Sequence, residues 1–148
     1  MLYRMFNYIK NSQNKEERIT MKAKKMQVYK CQDSDLSVLI LTESDECFKL
    51  ECCGKEMELM PEKTADSAVE KHVPLLSGDE NGVKVVVGST LHPMTEEHYI
   101  MWIEVTNGDW VNRKFLNPGD APEAEFYVPM SDKLEVRSYC NIHGLWKG

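Results

Sequence analysis

Four histidines and five cysteines are the side chains of this chain that could hold a borderline transition metal, because neutral imidazole and thiolate are the donors such ions prefer. Each histidine lies in a turn-rich setting. His72 stands in Glu70-Lys71-His72-Val73-Pro74, and His92 and His98 bracket the stretch His92-Pro93-Met94-Thr95-Glu96-Glu97-His98-Tyr99. His143 closes Cys140-Asn141-Ile142-His143 and is followed by Gly144-Leu145-Trp146. A lone histidine more often makes an ordinary hydrogen bond than binds an ion. Here the chain places all of its histidines between positions 72 and 143, and a Cys-x-x-His pair, whose spacing lets two side chains converge on one ion, ends the series. That pattern predicts a metal site built on loops.

Loops need a rigid support. The sequence supplies one as a succession of short β-type runs separated by turn residues. Val83 to Val87 follows the turn Gly78-Asp79-Glu80-Asn81-Gly82, and Tyr99 to Val105 precedes Thr106-Asn107-Gly108-Asp109. Trp110 to Leu116 precedes Asn117-Pro118-Gly119-Asp120, and the runs Ala124 to Val128 and Leu134 to Tyr139 complete the series. With no convincing amphipathic helix between them, these runs predict an all-β sandwich over residues 68–148. His72 then lies on an extended entry segment, His92 and His98 flank the strand carrying Trp102, and Cys140 and His143 lie on the turn after the last strand.

Before the sandwich, residues 26–60 read as a small cysteine-bearing unit. Val38 to Leu41 and the alternating Cys47-Phe48-Lys49-Leu50-Glu51-Cys52 predict a hairpin turned at Thr42 to Glu46. Residues 61–67 are a polar linker. Residues 1–25 show no core-forming pattern and are expected to be a frayed or weakly helical extension.

Composition limits the function. The chain has 148 residues, 42% of them hydrophobic and 28% charged, with net charge −6, which is ordinary for one globular domain and a small appendage. The basic stretch Lys10, Lys15, Arg18, Lys22, Lys24 and Lys25 reads as solvated charge, so no nucleic-acid partner is expected. No apolar run approaches the ~18 residues of a membrane span, and Met1-Leu2-Tyr3-Arg4-Met5-Phe6 makes a poor signal peptide. The expectation is a cytoplasmic protein. An odd number of cysteines, with Cys52 and Cys53 adjacent, argues against a disulfide framework and for metal or thiol chemistry.

The motifs around His72, His92-Pro93-Met94, Glu97-His98-Tyr99-Ile100 with Trp102-Ile103, and Cys140 to Trp146 resemble those of the superoxide reductases of the desulfoferrodoxin and neelaredoxin family, in order and at matching separations. The resemblance covers roughly residues 26–148. It implies an immunoglobulin-like β-sandwich and a mononuclear non-haem iron, cycling between Fe2+ and Fe3+. The implied ligands are four histidine nitrogens in a plane, from His72, His92, His98 and His143, and an axial sulfur from Cys140. It implies reduction of superoxide to hydrogen peroxide without dismutation. Catalytic roles fall by resemblance on Lys71, which attracts superoxide and helps organise a proton-donating water, and on Glu70, which can ligate oxidised iron. The implied partners are superoxide, a small reduced donor such as rubredoxin, and a second copy of the chain in a homodimer.

The amino-terminal unit resembles the family's desulforedoxin-like domain, in which Cys-x-x-Cys and Cys-Cys hold a rubredoxin-type iron. Cys31 and Glu51-Cys52-Cys53-Gly54 match that pattern, but Ser34 stands where the second cysteine belongs and Cys47 lies at the other end of the expected hairpin. A tetrathiolate site needs four converging sulfurs, so Cys31, Cys52 and Cys53 are not expected to keep a second iron. A unit that packs on the sandwich and supports dimerisation is expected instead, and Cys52 with Cys53 could alternatively oxidise. Two rival chemistries for the main site are a zinc-stabilised β module without catalysis and an iron or copper electron-transfer domain. The first leaves a fifth ligand and Lys71 unexplained.

Overall fold

A computed structural model describes residues 22–64 and 71–148. The extension as far as residue 21, positions 65–67 of the expected linker, and Glu70 lie outside the described residues. Every element among the described residues is a β-strand.

The larger unit is a sandwich of two antiparallel sheets. Its first sheet joins β8 (Pro74–Gly78), β9 (Val83–Val87) and β12 (Glu123–Phe126) in the order β12-β9-β8. The second joins β10 (Ile100–Thr106), β11 (Val111–Phe115), β13 (Glu135–Cys140) and β14 (Gly144–Lys147) in the order β11-β10-β13-β14. Alternation explains the core: Val83, Val85 and Val87 point inward along β9 and meet Ile103, Val105, Val136 and Cys140 from the facing sheet. Each such aliphatic side chain, removed from water, contributes about 1.5–3 kcal/mol before the entropy of ordering it is subtracted. The fold class is as expected from the strand pattern.

Two strands escape that pattern. β8 begins at a proline and is half exposed, so it has no clean alternation. β14 follows Cys140 so closely that its residues read as a tail. Instead Cys140 pairs with Gly144 across the turn Asn141-Ile142-His143, so Cys140 is the last residue of β13 and not part of a terminal turn. Gly144, at φ 76°, takes the left-handed position that such a hairpin requires, and a Cβ there would meet the Met60 methyl.

The smaller unit is built differently from the hairpin expected for it. Its central strand is β2 (Val28–Lys30), paired with β3 (Ser37–Leu39) on one side and β7 (Glu58–Leu59) on the other. β4 (Ser44–Cys47), expected as turn and strand start, pairs instead with β1 (Lys22–Ala23), inside the stretch expected to be extension. β5 (Glu51–Cys52) and β6 (Lys55–Glu56) form a tight hairpin over Cys53 and Gly54, whose φ of 54° and 76° are those of a two-residue turn. The alternation in Cys47 to Cys52 is real, but it serves packing: Phe48, Leu50 and Cys52 close over Tyr29, Cys31 and Met57.

Period two in β2 also joins the units. Tyr29 and Cys31 enter the small core, whereas Val28 packs with Trp102, Tyr139 and Leu145 of the sandwich. Both faces of β10 are consequently covered. Lys63 bridges Trp146 of β14 in parallel register, which fastens the connecting segment to the sheet edge.

Candidate metal centre

The five candidate ligands arrive at one end of the sandwich, because each lies where a strand begins or ends. His72 precedes β8; its carbonyl accepts from Ser138 Oγ at 3.1 Å, and the Val73 carbonyl accepts from Gly88 N at 3.0 Å. Gly88 is required there: at φ 85° a Cβ would strike the carbonyls of Thr90 and Lys71. His92 follows β9, with its N–H bonded to the Val87 carbonyl at 3.3 Å. His98 precedes β10 in a turn closed by reciprocal bonds with Thr95. Cys140 ends β13 and His143 lies in the hairpin turn.

The rings form a near-square. Successive centroids are 4.8 Å apart for His72–His92, 4.5 Å for His92–His98, 4.8 Å for His98–His143 and 4.4 Å for His143–His72. The His72–His98 diagonal is 6.1 Å, and adjacent rings are inclined by 72–77°. The nitrogens converge inside this square. His143 Nδ1 lies 2.7 Å from His72 Nε2, 3.1 Å from His98 Nε2 and 3.5 Å from Cys140 Sγ. His92 Nδ1 is 2.6 Å from the Pro93 carbonyl, which can only accept; the proton therefore sits on Nδ1, and Nε2 keeps its lone pair. That Nε2 is buried without a partner. One donor atom from each of the five residues lies within 4.8 Å of all the others.

This donor set fits a metal. At a metal–nitrogen distance of about 2.1 Å, neighbouring donors of a square lie about 3.0 Å apart, near the 2.7 and 3.1 Å found here. An ion also accounts for the unpartnered Nε2 of His92, which otherwise bears the desolvation cost of a buried polar atom. Electrostatics agree. Burial pushes the His92 imidazole down to about 4, with the other histidines assisting against its bond to Pro93. His98 is lowered by burial, then by His72 and Lys71. Both rings are thereby kept neutral, the form that ligates. Burial raises the Cys140 thiol, opposed by the N–H groups of His143 and Ile142 and by Lys63 and Lys30, so an ion must displace its proton.

Several supporting residues carry no signal strong enough to single them out from sequence. Trp146 stacks on His72 at 4.6 Å and 15°, which fixes that ring's plane. Asn141 ties the cysteine turn to the His98 loop, accepting from Tyr99 N at 3.0 Å and donating to the Glu97 carbonyl at 2.9 Å. Their adjacency to Cys140 and His143 was the only hint. Glu104, fully buried between Arg113 and Arg137, was missed because it sits in an apolar strand.

The cysteines of the small unit meet a different fate. Cys31, Cys52 and Cys53 cluster, and Ser34 Oγ lies 3.9 Å from Cys52 Sγ, so the serine occupies the place of the missing ligand. Cys47 is exposed and outside the cluster. Cys31 and Cys52 form a disulfide, a departure from the expectation of metal or thiol chemistry in place of disulfides, and Cys52 takes Cys31 rather than Cys53 as its partner. With their Cα atoms 5.7 Å apart, these two already stand at ordinary bridging distance, whereas no fourth sulfur is in place to complete a metal's shell.

The desulfoferrodoxin family model matches residues 64–148. The chain is 52% identical to a desulfoferrodoxin homologue of Archaeoglobus fulgidus over 122 residues, covering 82% of this chain and 95% of that one. It is 38% identical to the superoxide reductase of Pyrococcus abyssi over 103 residues, 57% of this chain and 90% of the other. Its structure resembles the crystal structure of the superoxide reductase from Treponema pallidum with a TM-score of 0.66 at 28% identity, covering 85% of this chain and 99% of that one.

Proposed function

The chain belongs to the desulfoferrodoxin family, and from that membership and its five-donor cluster we propose that it is a superoxide reductase working at a mononuclear non-haem iron. The observation that carries the reading is the near-square of four imidazoles with a sulfur against one corner. A tetrahedral zinc site would leave one of these donors unused.

The reaction consumes one superoxide, one electron and two protons and yields hydrogen peroxide. Nε2 of His72, His92 and His98, Nδ1 of His143 and Sγ of Cys140 would hold the iron. Bound there, iron would supply the single electron and a Lewis-acid position for the anion. The neutral imidazoles preserve the positive charge that attracts superoxide. The Cys140 sulfur would donate electron density, moderated by the His143 N–H that bonds it. Lys71 is close enough to act electrostatically on His98 and in this reading draws the substrate and steadies a proton-donating water. Glu70, outside the described residues, would ligate the oxidised iron. A rubredoxin-type protein would supply the electron to a cytoplasmic homodimer. No helix among the described residues is long and apolar enough to cross a membrane.

Protein purified without added metal should contain about one iron per chain, with a thiolate-to-iron band in the red when oxidised. A colourless zinc protein would overturn the reading. Two irons per chain with a rubredoxin-like spectrum would show that the three clustered cysteines do recruit a fourth ligand.

Capture of superoxide should slow as salt rises, and Lys71→Ala should flatten that dependence. The chain carries net charge −6, so attraction must arise locally, from the cationic site and Lys71. Salt screens it over a Debye length of about 10 Å at 0.1 M, and screens the repulsion from dispersed carboxylates as well. The local attraction dominates because Lys71 adjoins ligand His72, whereas the acidic groups are spread along the chain. Equal slopes for the two proteins, measured as bimolecular rates across an ionic-strength series, would remove Lys71 from substrate steering.

A further inference from the structure

A lysine of the small unit reaches the turn that follows Cys140 and carries His143. Val28 of β2 faces the sandwich, Tyr29 faces the small core, and Lys30 faces the sandwich again. Lys30 Nζ donates to the carbonyl of Asn141 at 3.3 Å. That carbonyl belongs to the residue next to Cys140, in the turn whose His143 N–H bonds the Cys140 sulfur at 3.5 Å. The ammonium thus stands on the turn next to the sulfur. A cation held beside the turn acts on the sulfur through space, and more strongly in buried surroundings than in water.

A second ammonium flanks the same turn. Lys63 Nζ donates to the His143 carbonyl at 2.8 Å and lies 5.2 Å from the centroid of Trp146, the ring stacked on His72. Backbone bonds from Lys63 N to the Leu145 carbonyl, 3.1 Å, and from Lys147 N to the Lys63 carbonyl, 2.8 Å, hold this residue against β14. Lys63 and Lys30 therefore both place charge on carbonyls of the cysteine turn, one from the connecting segment and the other from the small unit.

We propose that Lys30 is a positioning residue through which the small unit, without a complete tetrathiolate site of its own, tunes the sulfur donor of the iron centre. The proposal rests on the iron reading of the five-donor site. Its sign follows from charge. A nearby cation withdraws electron density from the sulfur and favours the reduced state, which carries one positive charge fewer.

The test uses the full-length, iron-loaded protein and its Lys30→Met, Lys30→Gln and Lys30→Arg variants, titrated redox-chemically and followed by the red thiolate band. Lys30→Met removes the charge and keeps the apolar stem. At a fixed poise its ratio of reduced to oxidised centre should fall about threefold, or about 28 mV for a one-electron couple at 59 mV per tenfold. Its band should move to longer wavelength as the sulfur regains electron density. Lys30→Gln should move both in the same direction, and Lys30→Arg should restore both. A merely structural lysine would not link potential and band position to charge in this way. Wild-type potential and band position in Lys30→Met overturn the proposal, and if that variant does not fold, the same result in Lys30→Gln does so. Wild-type protein lacking a thiolate band would instead overturn the iron reading on which the proposal stands.

Discussion

Cys140→Ser should remove the red thiolate band and slow superoxide reduction by more than about 100-fold, because loss of a ligand exceeds the 10–100-fold effects typical of groups one shell further out. Serine is a hard, poor donor to iron and cannot push electron density as a thiolate does. The protein should still fold: the side chain is buried in a well-packed wall but nearly isosteric with serine, and the His143 N–H would find an oxygen in place of the sulfur. Lys71→Ala, by contrast, should keep the band and lose mainly the rate of capture. Rapid mixing and pulse radiolysis on both variants would separate the two effects. A wild-type rate and spectrum in Cys140→Ser would show that the sulfur is not a ligand.

The second large effect concerns the join between the two units. Glu104 is fully buried; its Oε1 accepts from Arg137 Nε at 2.6 Å and its Oε2 from Arg113 Nε at 2.8 Å. Arg137, itself 2% exposed, also donates from Nη1 to the Met26 carbonyl at 2.9 Å and to Glu62 Oε1 at 2.8 Å, so one guanidinium spans sandwich, small unit and connecting segment. Glu104→Leu strands that guanidinium away from water with only part of its charge answered. Breaking a buried pair in this way costs about 3–5 kcal/mol. Glu104→Leu combined with Arg137→Leu should recover a large part of the loss, since an apolar pair of similar volume carries no unpaired charge. Denaturant unfolding of the single and double variants measures both quantities. A loss below about 1 kcal/mol in Glu104→Leu would mean that water reaches Arg137 once the carboxylate is gone.

The sequence by itself determined the identity of the five residues that gather at the sandwich end. Few side chains can hold such an ion, and this chain puts all its histidines in turns beside strands and ends the series with Cys140-Asn141-Ile142-His143. It also determined most of the sandwich strands, because alternation is a local property that survives without knowledge of the partner strand. Tertiary structure decided what depends on distant partners. Only packing shows that β4 pairs with β1 rather than closing a hairpin on β3, that Cys140 belongs to a strand continued across its turn by β14, and that Cys31 meets Cys52. Only packing makes Glu104 tolerable inside an apolar strand, through two arginines distant from it in sequence or on the next strand. And only the docking of β2 against the sandwich carries Lys30 across 111 positions to the carbonyl beside Cys140. Type and local spacing are written along the chain, whereas register, burial and the company a charge keeps are set by long-range contacts, whose free energies are realised together when the two units close.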